Sequence, residues 1–204
     1  MTARTLNLGS GRTYRADAVN VDVTADTSPD VVHNLNQRPW PFTDDQFDVV
    51  NATDVIEHLD DIAATMAELH RVCAHGGRIE IVVPHFSSDG AYTDPTHRHY
   101  FGAFTFDYFS EAHANNFYSR ARFDVESRLI VFRPTLVNKL IARAANRFPR
   151  AYEQRWTWIF PAWFLAINLT VVKPRHARES TAELAQDLRS APAARYNISP
   201  GGSL

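Results

Sequence analysis

The sequence predicts an α/β fold built on a mostly parallel sheet. Three observations carry this expectation. Short apolar runs of strand length recur at residues 5–8, 19–23 and 47–52, as buried parallel strands do. A glycine turn, Gly9-Ser10-Gly11, follows the first run at once, and an acid, Asp22, lies near the end of the second. Between residues 47 and 83 a strand, an amphipathic helix, a glycine pair and another strand succeed one another. That order implies a right-handed parallel crossover.

The chain has 204 residues, 45% of them hydrophobic and 12% aromatic. This suits one α/β domain with an appendage. The net charge of −2 gives no general attraction to nucleic acid or acidic membranes. Cys73 is the only cysteine, so an intrachain disulfide and a cysteine-rich zinc site are excluded. The longest run of apolar residues and proline, 159–167, is too short to span a bilayer. No signal peptide fits ahead of the first strand. The expectation is a cytoplasmic protein with no membrane span.

Only seven residues separate Gly11 from Val19, about two helical turns at most, so the first crossover is abbreviated. Residues 30–35 read as a third strand with a polar tip. Pro39 and Pro41 preclude regular structure around Trp40. Asp60 or Asp61 caps a helix whose apolar face is Ile62, Met66, Leu69 and Cys73, and which stops at Gly76-Gly77. A fifth strand covers 78–83. Residues 84–122 are rich in His, Asp, Phe and Tyr with little periodicity, as functional loops are; residues 104–109 read as a helical turn. A strand over 123–132 and a helix after Pro134 follow. That helix has apolar Leu136, Val137, Leu140, Ile141 and Ala144 on one face and Lys139, Arg143 and Arg147 on another. An aromatic patch covers 156–164, and a last strand covers 166–172. The tail beyond 174 is polar, with a helix over 179–189 and a frayed end. The sum is a Rossmann-like, mostly parallel seven-stranded sheet with helices on both faces. Its first helix is shortened, and a helical and loop lid is inserted late in the chain.

Such sheets bind nucleosides beyond the carboxyl ends of their strands. A dinucleotide fingerprint needs a third glycine and an acid about 20 residues on. Here Tyr14 takes the third position, and Asp22 comes too early. No Gly-Lys-Ser/Thr follows, which excludes a P-loop. A nucleoside without phosphate fits better. At this point the sequence resembles the class I S-adenosylmethionine-dependent methyltransferases over residues 5–84. Residues 6–11 resemble their first motif, Asp22 the acid after their second strand, and His33-Asn34-Leu35 the tip that meets adenine. Residues 42–50 and 55–59 are similar to the stretch around their fourth strand. The resemblance implies S-adenosylmethionine as cofactor, held by Gly9, Ser10, Gly11, Asp22, Asn34, Leu35, Thr53 and His58; anchoring the fourth helix is the alternative role of His58. It also implies a methyltransferase domain over 1–174, with acceptor and lid elements at 84–122 and 134–165 and a polar tail at 175–204.

The loop after the fifth strand would emerge beside the transferred methyl. Alcohol methylation needs the acceptor oxygen about 3 Å from the methyl carbon, in line with the leaving sulfur, and a base for the hydroxyl proton. His97 is the candidate base, Asp94 its orienting acid three residues earlier, and His99 the reserve. A capped turn over Asp94-Pro95-Thr96-His97 is the plainer reading of the same residues. Asp94 is also the candidate metal ligand, with Asp54, Glu57 and Asp89 nearby, for a hard cation such as Mg2+. The Asp-Pro-Thr-His segment resembles small bacterial sugar and polysaccharide O-methyltransferases, among them the mycobacterial 1-O-methyltransferase of methylmannose polysaccharide synthesis. That resemblance implies a small saccharide acceptor, methylated on a hydroxyl such as the anomeric 1-OH of a methylated mannoside. Trp156, Trp158 and Trp163 would stack on sugar rings, fill a lid core, or make a homodimer contact. A methyltransferase for a non-sugar molecule, a nucleotide-sugar oxidoreductase and a non-catalytic binding module are the competing readings.

Overall fold

The computed structural model describes residues 3–174; the sequence-predicted tail at 175–204, with its helix and frayed end, lies outside them. Seven strands form one sheet in the order β3-β2-β1-β4-β5-β7-β6. They are β1 (Thr5–Leu8), β2 (Ala18–Asp22), β3 (Val31–Val32), β4 (Phe47–Thr53), β5 (Cys73–Pro84), β6 (Arg122–Val131) and β7 (Phe164–Val172). The first five run parallel, and β7 pairs antiparallel with both β5 and β6. The sheet is thus the expected Rossmann-like one with its last strand reversed.

Alternation along the strands sorts their side chains. Leu6, Leu8, Val21, Val50, Ala52, Ile79, Ile81, Leu165 and Ile167 are buried in one continuous core. Helix α1 (Ile62–Val72) contributes Met66, Leu69 and Val72 to it. Asp61 is its cap, accepting from Ala64 N at 2.9 Å. The opposite face of the sheet carries a polar row, Asn20, Asn7, Asn51, Glu80 and Asn168, in register across five strands.

No helix forms in the first crossover; side-chain amides hold the loop instead. Asn7 Nδ2 donates to Thr13 O at 3.1 Å and to Asn20 Oδ1 at 3.0 Å. Asn20 Nδ2 donates to Arg15 O at 2.8 Å, and Asn20 Oδ1 accepts from Arg15 N at 2.9 Å. These bonds satisfy backbone groups that helical bonds would otherwise satisfy.

Two boundaries differ from expectation. α1 ends at Val72, and Cys73 already pairs with Phe47, so β5 runs through Gly76-Gly77. Gly76 has φ +74°, and a Cβ on Gly77 would lie 2.6 Å from Cys73 Sγ. The glycines make an irregularity inside a strand, where the sequence reads as a helix stop. β3 is only two residues long because the chain turns at Asn34, whose carbonyl accepts Gln37 N at 2.8 Å, while Leu35 goes into the core.

A short helix, α2 (Gly90–Thr93), follows β5, and the late insertion comprises α3 (Leu136–Arg147) and α4 (Pro149–Arg155). Most of the predicted apolar face of α3 points outward: Leu136, Val137, Leu140 and Ala144 are exposed, while Ile141 and Ala142 pack partly against the core and Ala145 is buried. Asn146 accepts Ile130 N at 2.7 Å and donates to Ile130 O at 2.8 Å. Among the described residues no helix is long and apolar enough to cross a membrane.

Candidate active site

The carboxyl ends of β1 and β2 form a backbone cradle. Gly9 and Gly11 have φ of +58° and +47°, a conformation that glycine adopts without penalty. Ser10 N donates to Val21 O at 2.9 Å, and Gly11 N to Asp22 Oδ2 at 2.7 Å. Asp22 Oδ1 accepts Thr24 N at 3.1 Å. Each oxygen of this buried carboxylate therefore keeps a lone pair for a ligand hydroxyl. A Cβ on Gly9 would lie 2.6 Å from Val55 Cγ2. The Ser10 hydroxyl is buried without a hydrogen-bond partner among the described residues. Close backbone, a carboxylate with spare lone pairs and an unused hydroxyl are groups that a nucleoside with an amino-acid tail could use.

Around the cradle, Asn34 is exposed, Leu35 is buried, and Thr53 is exposed at the end of β4. Asn34 Oδ1 accepts Asn36 N at 3.0 Å, so part of its capacity is spent within its turn. Val32, the register partner of Asp22, and Val23, the next residue after it, are exposed. They offer an apolar shelf beside the acid that the sequence reading passes over.

The second half of the site follows β5. Asp94 Oδ1 accepts Thr96 N at 2.8 Å and Thr96 Oγ1 at 2.6 Å. Its Oδ2 is 4.0 Å from His97 Nε2, beyond hydrogen-bond reach. The orienting bond expected between Asp94 and His97 is not made; Asp94 caps the turn because Thr96 offers two donors at shorter range. Ala91 O orients His97 instead, 3.2 Å from Nδ1. A carbonyl only accepts, so Nδ1 carries the proton and Nε2 presents a lone pair. Asp89 is likewise occupied, by Arg133 Nη2 at 2.8 Å to each oxygen. Of the four carboxylates expected to gather around magnesium, Asp94 and Asp89 are thus committed elsewhere.

Glu57 and His58, on a short 3-10 turn at Ile56–His58 after β4, meet this loop. Glu57 O accepts Arg98 N at 2.8 Å and His99 N at 3.3 Å. The Glu57 side chain is buried, and neither carboxylate oxygen has a hydrogen-bond partner among the described residues. Desolvation, with the Asp54 and Asp94 charges adding, pushes its carboxyl up to about 7. His97 Nε2 is 3.9 Å from Glu57 Oε1. The rings of His58 and His97 meet edge to face at 4.6 Å. Desolvation and His97 both lower the His58 pKa. Thr96 gives its hydroxyl proton to Asp94, so it accepts from His58 Nδ1 at 2.8 Å. His99 is half-buried, and its Nε2 is enclosed without a hydrogen-bond partner among the described residues. Glu57 is the residue that sequence reasoning noted only in passing. Its signal is an acid inside the apolar run Val55-Ile56-Glu57-His58-Leu59.

Next to the loop lies a cleft of about 510 Å³, with Ser88, Asp89, Tyr92, Arg133 and Trp158 in its lining. Tyr92 and Tyr100 stack at 4.7 Å. His85 anchors this region to α4, its Nε2 lying 3.2 Å from Glu153 Oε1 and its Nδ1 2.8 Å from Ser87 Oγ.

Residues 6–81 match the family model of a methyltransferase domain. The matched stretch holds the glycine cradle, Asp22, Glu57 and His58, and stops before Asp94 and His97. No curated protein sequence matches the chain. Among solved structures, YcgJ from Bacillus subtilis is 16% identical with a TM-score of 0.54, over 84% of this chain and 92% of that one. A SAM-dependent methyltransferase from Archaeoglobus fulgidus is 17% identical with a TM-score of 0.52, over 82% and 86%. The [4+2]-cyclase SpnF is 13% identical with a TM-score of 0.53, over 84% and 76%. At these identities the likeness shows the fold, that of class I methyltransferases. The family match thus spans residues 6–81, and the structural likeness adds the fold.

Proposed function

We propose that the protein is an S-adenosylmethionine-dependent methyltransferase that methylates a hydroxyl of a small saccharide. The observation that carries the first half is the Gly9–Gly11 turn closed onto Asp22, with the Ser10 hydroxyl left without a hydrogen-bond partner among the described residues. When bound, the cofactor supplies an electrophilic methyl group. Gly9 and Gly11 let the backbone approach its amino-acid tail, Asp22 takes the ribose hydroxyls, and Asn34, Leu35 and Thr53 border the nucleoside. Residues 84–122 and 134–165 form the acceptor side of a domain over 1–174. There His97, with its proton held on Ala91 O, is ready to accept the hydroxyl proton at Nε2. The buried Glu57 carboxylate stabilises the resulting imidazolium.

A saccharide is favoured by the cleft, which combines Asp89, Arg133 and two serines with Tyr92 and Trp158. Polar groups would meet the hydroxyls, and aromatic faces the ring. The exposed apolar face of α3 is where the proposed homodimer would pack, which analytical ultracentrifugation checks.

Methyl transfer from labelled S-adenosylmethionine to a panel of mono- and disaccharides tests the reading. His97→Ala is expected to lose at least ~100-fold in turnover while calorimetric cofactor affinity stays near wild type. Unchanged turnover would remove His97 from the chemistry. Tight NAD binding without S-adenosylmethionine binding would overturn the cofactor assignment.

A further inference from the structure

We propose that Glu57, His58 and His97 form a binding site for a divalent first-row transition-metal ion. One ligand atom from each of the three lies within 4.8 Å of the other two. Around a tetrahedral ion with bonds of about 2.1 Å, ligand atoms stand about 3.4 Å apart. The ligand atoms need to approach one another by at most about 1.4 Å.

The buried carboxylate is the independent observation. Glu57 is 1% exposed, and among the described residues neither of its oxygens has a hydrogen-bond partner. A buried charged group without compensation is costly. The titratable neighbours that face it are His97, Asp54 and Asp94. Two of these are acids and worsen the cost. A cation would compensate it.

The imidazoles are prepared as ligands. Ala91 O takes the His97 Nδ1 proton and leaves Nε2 free. Thr96 Oγ1 takes the His58 Nδ1 proton, and Asp94 holds Thr96. Metal-binding histidines are oriented in this way, through the nitrogen that does not bind the ion. Asp94 becomes a positioning residue acting through Thr96 rather than a ligand. Two nitrogens and one carboxylate suit zinc, iron, manganese or cobalt; magnesium and calcium prefer oxygen alone. Three protein ligands leave at least one position for an oxygen ligand, either water or an acceptor hydroxyl.

The site stands whatever the acceptor is. Its consequence for the function rests on the methyltransferase reading: with the ion present, His97 is a ligand and the metal polarises the hydroxyl.

The test uses the full chain without a histidine tag, stripped by chelator and titrated with Co2+ and Zn2+ in the absence of S-adenosylmethionine. About one Co2+ per chain should bind with a visible d–d spectrum, displaced by Zn2+ but not by excess Mg2+. Glu57→Gln, His58→Ala and His97→Ala should each weaken binding by at least ~10–100-fold, and Asp94→Ala by about 10-fold. His113→Ala, remote in the chain from all three residues, should bind as wild type. Circular dichroism and cofactor titration of each variant separate loss of the site from loss of the fold. Failure of wild type to bind Co2+ or Zn2+ would overturn the proposal. So would equal binding by folded His58→Ala and His97→Ala. Metal binding without cofactor binding would uphold the site and refute the methyltransferase reading; cofactor binding without metal binding would do the reverse.

Discussion

Gly9 fixes how closely Val55 can approach the turn after β1. An alanine there would hold a left-handed backbone, at about 1–2 kcal/mol, and would collide with Val55 Cγ2. Gly9→Ala is therefore expected to lower both unfolding stability and calorimetric S-adenosylmethionine affinity. Adding Val55→Ala should recover only the part due to the collision. Equal affinity for wild type and Gly9→Ala would show that the cradle does not hold the cofactor. At this scale the sequence was legible where backbone geometry demands a residue type: two glycines, then an acid at a strand end. It was less legible where one spacing serves two purposes. Asp94 and His97, three apart, suit an orienting pair or a capped turn equally. Thr96, between them, decides by offering two donors to Asp94. Glu57 escaped because burial is not written in the identity of an acid. It follows from the turn at Ile56–His58 closing against residues 98 and 99.

Among the elements, α1 and α3 are both amphipathic yet differ in what covers them. The apolar stripe of α1 packs on the sheet; Leu136, Val137 and Leu140 of α3 meet solvent. Leu69→Ala should thus cost about 2–5 kcal/mol in chemical denaturation. Leu140→Ala should stay within about 0.5 kcal/mol. A large loss for Leu140→Ala, dependent on protein concentration, would instead mean that another chain covers α3. Periodicity revealed both helices, because both carry the 3.6-residue repeat. It could not reveal which repeat is covered, since that depends on where the crossover ends. The early start of β5 was hidden for a similar reason. A glycine pair after a helix has the composition of a C-cap, and only pairing of Cys73 with Phe47 makes it part of a strand.

Across the whole molecule, β1 is tied to β4 at its amino end by Arg4 and Asp48. Arg4 N donates to Asp48 Oδ2 at 2.9 Å, and the guanidinium bridges both carboxylate oxygens. These bonds hold the Asp48 carboxyl down to about 2, against an ordinary 3.8. A folded-state value below the unfolded one stabilises the protein above about pH 4, and that stabilisation is lost as pH falls through 2. Denaturation at pH 5 and pH 2 should show a smaller acid-induced loss for Asp48→Asn than for wild type. An identical loss would leave the pair without a role in stability. The parallel sheet was legible from the succession of strands, loops and one strong helix. Its polar row of Asn20, Asn7, Asn51, Glu80 and Asn168 was not, because register appears only once strands are paired.

The two hydrogen bonds from Asn146 to Ile130 bear on behaviour at high concentration. β6 is the last strand of the sheet, and its outer edge is a template for a strand from another molecule. The Asn146 amide occupies one donor and one acceptor of that edge, as an incoming backbone would. Asn146→Ala should therefore leave the monomer folded but lower the concentration at which light scattering and thioflavin fluorescence begin to rise. Unaltered onset would mean that the amide does not protect the edge. On this account one side chain in the late insertion sets how far the protein can be concentrated before its sheets begin to extend one another.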